Sequence, residues 1–147
     1  NQLKMSIENF KFFKPLEPRW SDFDPIGHVN NVFYFEYFQI GRAYYMMASS
    51  KKWQWTRHMF VIAHMEASYQ KELRPNAIEP RIGVRVTKLG NKSFDFEYIV
   101  TSKSENGEDV IHCIGKSTQV MYDMEEKKSM ELPDWVKNDF KNYEGNL

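Results

Sequence analysis

The stretch RWSDFDPIGHVNN, residues 19–31, places two carboxylates, a glycine and a histidine directly before a long apolar segment. The carboxylate of Asp22 or Asp24 could act as a general base or as a nucleophile. The first N–H groups of a helix that begins here would be unpaired, and they would stabilise a developing negative charge. The same residue types also form ordinary turns and helix caps. The choice between an active site and a structural turn depends on the elements around the stretch.

A buried helix is predicted directly after this stretch, over residues 30–49. Aromatic and aliphatic side chains recur there every three or four positions, which leaves only a narrow polar ribbon along the helix. Asn30 or Asn31 would cap its N-terminus. A helix that is apolar on nearly all sides needs a sheet that curls around it.

Extended segments make up most of the remaining chain. An irregular first strand is predicted within residues 8–20. The second, at residues 59–69, has an apolar face that runs from Met59 through Val61 and Ala63 to Tyr69. Three further strands are predicted at residues 82–86, 94–100 and 110–122. A hairpin turn at residues 89–93 and an Asn-Gly turn at residues 105–108 join them. A short terminal helix is predicted at about residues 133–143.

The order of these elements indicates an α+β fold, in which a curved antiparallel β-sheet wraps around a long central α-helix. A chain of 147 residues is long enough to bury a sizeable core in one domain. We therefore predict a single domain over residues 1–147, with its core at about 8–122.

Charge and cysteine content argue against several classes of protein. The 20 basic residues balance the 20 acidic ones, so no global field would attract nucleic acid or an anionic membrane. The single cysteine, Cys113, can form no intramolecular disulfide. Together with the polar residues 1–10 and the lack of an apolar run of about 18 residues, this predicts a soluble, cytoplasmic protein. The four histidines show no spacing typical of metal ligands, so we expect no metal site.

Three segments resemble one known family: DFDPIGHVNN, the helix after it, and LGNKSFDFEY. They are similar to the hotdog-fold acyl-CoA thioesterases, in particular the 4-hydroxybenzoyl-CoA thioesterase-like branch, and the resemblance covers roughly residues 8–122. It implies a hotdog fold, a homodimer or a dimer of dimers with active sites at the subunit interface, and a coenzyme A thioester as substrate. It also implies that Asp24, the second aspartate of the D-x-D pair, carries the chemistry. The HVNN ending is similar to acyl-carrier-protein thioesterases too, but Ile26 stands where those enzymes have an asparagine.

We predict from these residues that Asp24 and His28 are catalytic and that Asp22 ties the loop together. Asp22 is the alternative catalytic carboxylate, because side chains two positions apart share a face if the strand continues. A solvated strand face is expected for His64 and Glu66. The predicted substrate-binding residues follow the aspartates or lie at the hairpin where the resemblance places coenzyme A contacts: Gly27, Val29, Asn30, Asn31, Lys92 and Ser93.

The predicted function is that of an acyl-CoA thioesterase, which hydrolyses a coenzyme A thioester to the free acid and coenzyme A. Three alternatives stay open: an acyl-carrier-protein thioesterase, a hotdog enoyl-thioester hydratase, and a non-catalytic acyl-CoA-binding protein. Coenzyme A would enter as part of the substrate, and no separate cofactor, nucleic acid or membrane partner is expected.

Overall fold

A six-stranded antiparallel sheet curves around one long helix in the computed structural model of the chain, which describes residues 7–147. The predicted α+β fold and the predicted order of its main elements are confirmed. The strands are β1 (Phe12–Pro15), β2 (Met59–Tyr69), β3 (Ile78–Leu89), β4 (Ser93–Lys103), β5 (Asp109–Asp123) and β6 (Lys128–Ser129). The helices are α1 (Val32–Ser49) and α2 (Asp134–Glu144), with short 3-10 helices at Ile7–Asn9 and Trp20–Asp22.

The sheet has the strand order β1-β3-β4-β5-β2, with β6 beside the end of β5. Every pairing is antiparallel. Short turns join the three central strands, and Gly107, in the turn between β4 and β5, takes a positive φ of 80°. In the chain, α1 follows β1 and precedes β2. The helix crosses one face of the sheet, and β1 and β2 therefore form opposite edges.

α1 confirms the helix predicted over residues 30–49, but the sheet covers only one side of it. Tyr45 and Phe38 are buried against the sheet, and Phe38 stacks on Tyr98 with 4.4 Å between the ring centroids. On the other side Met47 stays 56% exposed. The prediction of a helix buried on nearly all sides is therefore wrong, since a single open sheet covers only one face of a helix.

The segment predicted as an irregular first strand, residues 8–20, forms a strand over only four residues. Phe12–Pro15 pair with β3, and the chain then turns into the 3-10 helix at Trp20–Asp22. Asp22 and Asp24 therefore do not lie on one continuing strand. The shared face that such a strand would give them does not arise.

β2 confirms the second predicted strand, but its pairing with β5 is irregular directly after Ile62. A bulge at this point reverses the alternation of side chains along the strand. Phe60 and Met65 both pack against the core, although they are five positions apart. The predicted apolar face from Met59 to Tyr69 is therefore wrong on the N-terminal side of the bulge, where Met59 and Val61 are exposed.

A buried carboxylate joins α2 to the rest of the fold. Oε2 of Glu144, a residue that is 4% exposed, accepts hydrogen bonds from the Tyr45 hydroxyl at 2.5 Å and from Val86 N at 3.1 Å. Val86 lies where the pairing of β3 with β4 is irregular, between Val86 and Lys88. Lys11 Nζ donates to the Glu144 carbonyl oxygen at 2.6 Å. The last turn of α2 is thus fixed against both α1 and β3.

Two predictions extend to residues outside the described part of the chain. The single domain over residues 1–147 and the polar segment 1–10 both include residues 1–6, and the single domain stays a prediction. None of the helices within residues 7–147 has the length and apolar character that crossing a membrane requires.

Candidate active site

Asp22 holds the loop between β1 and α1 in place. Its side chain is 1% exposed, and Oδ2 accepts hydrogen bonds from Arg19 N and from the Tyr37 hydroxyl, both at 2.9 Å. Arg19 Nε donates to Oδ1 at 3.0 Å, and Asn30 N donates to the Asp22 carbonyl oxygen at 2.9 Å. Burial, followed by the hydrogen bond to Asp22, raises the pKa of Tyr37, so Tyr37 stays a neutral donor. The predicted role of Asp22, tying the loop together, is confirmed.

Asp24 lies in a tight turn with a partly exposed carboxylate, whose side chain is 22% accessible. Its Oδ1 accepts a hydrogen bond from Ile26 N at 3.1 Å and a longer one from His28 N at 3.5 Å. Asp24 N donates to the His28 carbonyl oxygen at 3.0 Å, and Gly27 N donates to the Asp24 carbonyl oxygen at 3.0 Å. Gly27 has φ of +86°, a conformation that L side chains rarely adopt. The turn therefore commits Oδ1 to the backbone and brings His28 back beside Asp24.

The His28 imidazole lies between two carboxylates. Its Nδ1 is 3.6 Å from Asp24 Oδ2, and its Nε2 is 3.8 Å from Glu72 Oε1. Both separations are longer than hydrogen bonds. Glu72 is itself paired with Arg74 at 2.6 Å. Sequence reasoning missed Glu72 and Arg74, because they follow β2 in a segment with no periodic pattern and reach the site only through the fold.

Of the two predicted caps at the start of α1, Asn30 and Asn31, it is Asn30 whose side chain caps the helix. Its Oδ1 accepts a hydrogen bond from Val32 N at 3.2 Å, whereas Asn31 has helical backbone angles and makes no side-chain cap. Phe33 N and Tyr34 N donate to the carbonyl oxygens of Asn30 and Asn31. The expectation that the first N–H groups of the helix are unpaired is therefore wrong for Val32, Phe33 and Tyr34. Within residues 7–147, the N–H of Asn31 has no hydrogen-bond partner.

The predicted substrate-binding residues divide into two places. Gly27, Asn30 and Asn31 join Asp24 and His28 at the start of α1. Val29 belongs to the same loop, but its side chain is 2% exposed in the core and its N–H donates to the Leu73 carbonyl oxygen at 2.8 Å.

Lys92 and Ser93 lie at the turn between β3 and β4. This turn is beyond the other end of α1, whose 18 residues span about 27 Å. One subunit therefore does not bring Lys92 and Ser93 to Asp24.

The remaining polar candidates have ordinary surroundings. The side chains of His64 and Glu66 are 62% and 61% accessible, as expected for a solvated face. Cys113 is buried, and burial raises the pKa of its thiol to about 12, so it is neutral at physiological pH. Residues 7–147 contain no group of three or more His, Cys, Asp or Glu side chains placed to hold a metal ion.

Comparison with solved structures and protein families agrees with the fold. The sequence model of the thioesterase-like superfamily matches residues 18–140. A thioesterase from Thermus thermophilus, solved with coenzyme A and zinc, is 30% identical, has a TM-score of 0.80, and is matched over 96% of this chain and 99% of its own. A mutant of 4-hydroxybenzoyl-CoA thioesterase, solved with 4-hydroxybenzoyl-CoA, shares the fold at 14% identity with a TM-score of 0.75, over 86% of this chain and 96% of its own.

A curated relative is also similar to this chain. The uncharacterized protein YsmA of Bacillus subtilis (strain 168) is 31% identical over 91 residues. This alignment covers 62% of the present chain and 61% of YsmA, which is less than two thirds of the length of that relative. The match of the family model over most of the sequence and the shared architecture lead to one conclusion: the chain belongs to the thioesterase-like superfamily and has the hotdog fold.

Proposed function

We propose that the protein is an acyl-CoA thioesterase, which hydrolyses a coenzyme A thioester to the free acid and coenzyme A. The observation that carries this proposal is the position of Asp24. Its carboxylate is partly exposed in the loop before α1, beside His28, in a chain of the thioesterase-like superfamily. The coenzyme A bound by the Thermus thermophilus thioesterase supports the choice of thioester.

Asp24 Oδ2 is the reacting atom in this proposal. Because Oδ1 accepts hydrogen bonds from the turn, Oδ2 is the oxygen left to attack the thioester carbonyl carbon or to take a proton from an attacking water. Attack by Oδ2 forms a mixed anhydride and expels the coenzyme A thiolate, and water then cleaves the anhydride. Attack by water, which gives up a proton to Asp24, also expels the coenzyme A thiolate and gives the acid directly. His28, between Asp24 and Glu72, orients the water in either route.

The start of α1 supplies the stabilisation of the oxyanion. Directly before α1, the N–H of Asn31 has no hydrogen-bond partner within residues 7–147 and is available for a ligand, and Asn31 is exposed. The positive end of the helix dipole adds to its effect. The coenzyme A thiolate is a good leaving group, so the mechanism requires no separate strong acid.

The proposed enzyme is a homodimer that pairs through β2. This strand is eleven residues long and forms an edge of the sheet, and its Met59, Val61 and Ile62 are 40%, 39% and 38% exposed. An apolar edge strand of this length readily pairs with another strand. Antiparallel pairing with a second copy would set the N-terminal end of one β2 against the C-terminal end of the other. The β3–β4 turn of one subunit, with Lys92, would then lie at the same end of the dimer as Asp24 of the other.

The test is thiol release from a panel of acyl-CoA substrates that differ in chain length and aromaticity, with crotonyl-CoA hydration measured in parallel. We expect thiol release by the wild-type chain and its loss in Asp24→Asn. Hydration of crotonyl-CoA without thiol release would instead identify a hydratase and overturn the proposal.

A further inference from the structure

Arg42, in the middle of α1, is a partly buried cation without an anionic partner. Its Nη1 is buried and has no hydrogen-bond partner within residues 7–147. None of the ion pairs in this part of the chain involves Arg42, and residues 1–6 contain no Asp or Glu. Because burial of an unpaired charge is costly, such an arginine suits a site that receives an anion from a ligand.

The polar side chains next to Arg42 satisfy one another and supply no negative charge. Gln119 Nε2 donates to the Phe94 carbonyl oxygen at 3.0 Å, and Gln119 Oε1 accepts a hydrogen bond from Ser117 Oγ. The Ser117 hydroxyl has only one proton, so the Tyr98 hydroxyl donates to Ser117 Oγ, at 2.5 Å. Burial raises the pKa of Tyr98, and the nearby charge of Arg42 opposes this increase only in part. Tyr98 therefore stays neutral and does not compensate the charge of Arg42.

The face of α1 that carries Arg42 also leads to the proposed oxyanion site. Phe35 lies four positions after Asn31, and Arg42 lies seven positions after Phe35, so the three residues share one face of the helix. Phe35 is 37% exposed. The exposed Tyr44 and Met47 lie on the other side of α1.

β2 runs along this face of α1 in the opposite direction. At one end, the Tyr69 hydroxyl donates to the Asn31 carbonyl oxygen at 3.3 Å. Four residues earlier on β2, Met65 is partly buried and pairs with Ser117, which belongs to the polar group beside Arg42. We call the surface that joins these two ends the α1–β2 strip, which is formed by Asn31, Phe35, Arg42, Met65 and Tyr69.

The length of the α1–β2 strip sets the size of a ligand that could contact both ends. Arg42 is eleven positions after Asn31, which corresponds to about 16 Å along the helix axis. Side chains of an α-helix lean toward its N-terminus, so the guanidinium lies nearer to Asn31 than this. A thioester carbonyl at the N–H of Asn31 therefore leaves room for an acyl chain of medium length before Arg42 is reached.

On the basis of the proposed function, we propose that the acyl group of the substrate has a free carboxylate at its far end and that Arg42 binds this carboxylate. The planar guanidinium matches a carboxylate with two parallel hydrogen bonds. An unsubstituted acyl chain would suit the apolar part of the strip but would leave Arg42 unpaired. Hydrolysis would release coenzyme A and a dicarboxylic acid. Arg42 thus determines specificity at a distance from the reacting atoms.

Matched pairs of acyl-CoA substrates test this assignment. The two members of a pair have the same length and differ only in the terminal carboxylate: sebacoyl-CoA with decanoyl-CoA, and succinyl-CoA with butyryl-CoA. We expect the wild type to have a kcat/KM at least about tenfold higher for sebacoyl-CoA than for decanoyl-CoA. The short pair should show no such preference, because a succinyl group at Asn31 does not reach Arg42.

Arg42→Met should reverse the preference within the long pair. We expect kcat/KM for sebacoyl-CoA to fall about 10²-fold and that for decanoyl-CoA to stay equal or rise. The melting temperature should be at least that of the wild type, because the change removes an unpaired charge. Lys116→Gln is the matched control and should change neither substrate. It also removes one positive charge, but from an exposed side chain on the face of β5 opposite the buried Ser117.

Two results would overturn the proposal. One is a wild type that does not prefer sebacoyl-CoA to decanoyl-CoA. The other is an equal loss with both substrates in Arg42→Met, which would identify Arg42 as a structural residue.

Calorimetric titration with the same two ligands separates this proposal from the proposed hydrolysis. A wild type that hydrolyses no thioester but binds sebacoyl-CoA more tightly than decanoyl-CoA, with the difference lost in Arg42→Met, would overturn the hydrolysis and support the role of Arg42. Hydrolysis of both substrates with no dependence on Arg42 would do the reverse.

Discussion

Two aspartates separated by one residue have different surroundings in this protein. Asp22 is buried, and Arg19 and Tyr37 satisfy its oxygens, whereas Asp24 is partly exposed and has Oδ2 beside His28. The difference arises because a 3-10 helix ends at Asp22 and a glycine turn follows Asp24. The same side chain therefore stabilises the loop at Asp22 and is a candidate reactive group at Asp24.

Exchange of each aspartate for asparagine should separate these roles. We expect Asp24→Asn to lower hydrolysis by at least about 10²-fold with a loss of under about 1 kcal/mol of stability. Asp22→Asn should cost about 1–3 kcal/mol, because it weakens hydrogen bonds to a buried charge, and should change turnover less. Turnover of one acyl-CoA and the melting temperature, measured for both variants, provide the comparison. Full activity in Asp24→Asn would contradict the proposed mechanism.

His112 should make the stability of the protein depend on pH. It is 5% exposed, its Nδ1 is 3.1 Å from the Lys71 carbonyl oxygen, and its Nε2 is 2.7 Å from Ser102 Oγ. The carbonyl oxygen can only accept, so Nδ1 donates and a neutral ring accepts from Ser102. Burial lowers the pKa of His112, so the folded state binds fewer protons than the unfolded state at mildly acidic pH.

The stability that His112 contributes should be complete above its unfolded pKa of about 6.5 and should decline as the pH falls below that value. We therefore expect the melting temperature to fall between about pH 7 and pH 5, and to fall less steeply in His112→Gln. His58, whose pKa is also lowered chiefly by burial, acts in the same direction in both proteins. An identical slope in the variant would show that His112 does not contribute.

The sequence predicted those parts of the site that are close together in the chain. Asp24, His28 and Asn30 could be placed beside one another because one short loop contains them. Glu72 and Arg74 could not, because the fold alone brings the segment after β2 to this loop. The N–H of Asn31, which has no partner in the described part of the chain, also required the structure, since its freedom depends on which backbone groups the fold brings near it.

At the scale of the elements, periodicity located the strands and the long helix but not the irregularities within them. The bulge after Ile62 does not change the strand-like composition of β2. The alternation of apolar residues therefore could not show that the side chains change to the other face of the sheet at this point. The exposed side of α1, with Met47 and Tyr44, looks like core in sequence for a related reason. An apolar side chain does not reveal whether its own subunit or another surface covers it.

The anchor of α2 should be a large contributor to stability. Glu144→Ala leaves the Tyr45 hydroxyl and Val86 N buried without their acceptor, so we expect a loss of about 2–4 kcal/mol. Urea denaturation of the variant measures this loss. Tyr45→Phe, which removes one donor and leaves the carboxylate its backbone partner, should cost less. Equal stability of Glu144→Ala and the wild type would show that α2 is held by its apolar contacts alone.

At the scale of the whole molecule, the proposed dimer explains why the predicted site residues lie at two ends of one subunit. A subunit with Asp24→Asn would lack the proposed reactive carboxylate, and one with Lys92→Glu would repel the phosphates of coenzyme A if they bind at this turn. A dimer of the two would have one site with both residues intact if each site combines Asp24 from one subunit with Lys92 from the other.

Co-expression of these two variants tests that arrangement. We expect the mixed dimer, assayed below KM, to recover about half of the wild-type activity, since one of its two sites is unaltered. Sedimentation of the wild type at micromolar concentration should show a dimer or a dimer of dimers. A monomer, or a mixed protein no more active than its parents, would contradict the shared site.

The two edges of the sheet are unequal, and this limits how far the sheet can grow. β2 offers eleven residues for pairing, whereas β1 offers four and ends at Pro15, which has no N–H to donate. If both edge strands could pair with another copy, each added copy would leave a further edge open, and fibres would form. If only one edge strand can pair, the first pairing leaves no open edge. In the proposed dimer, the short β1 would therefore protect the protein against fibril formation, and changes that lengthen β1 or replace Pro15 would be expected to remove that protection.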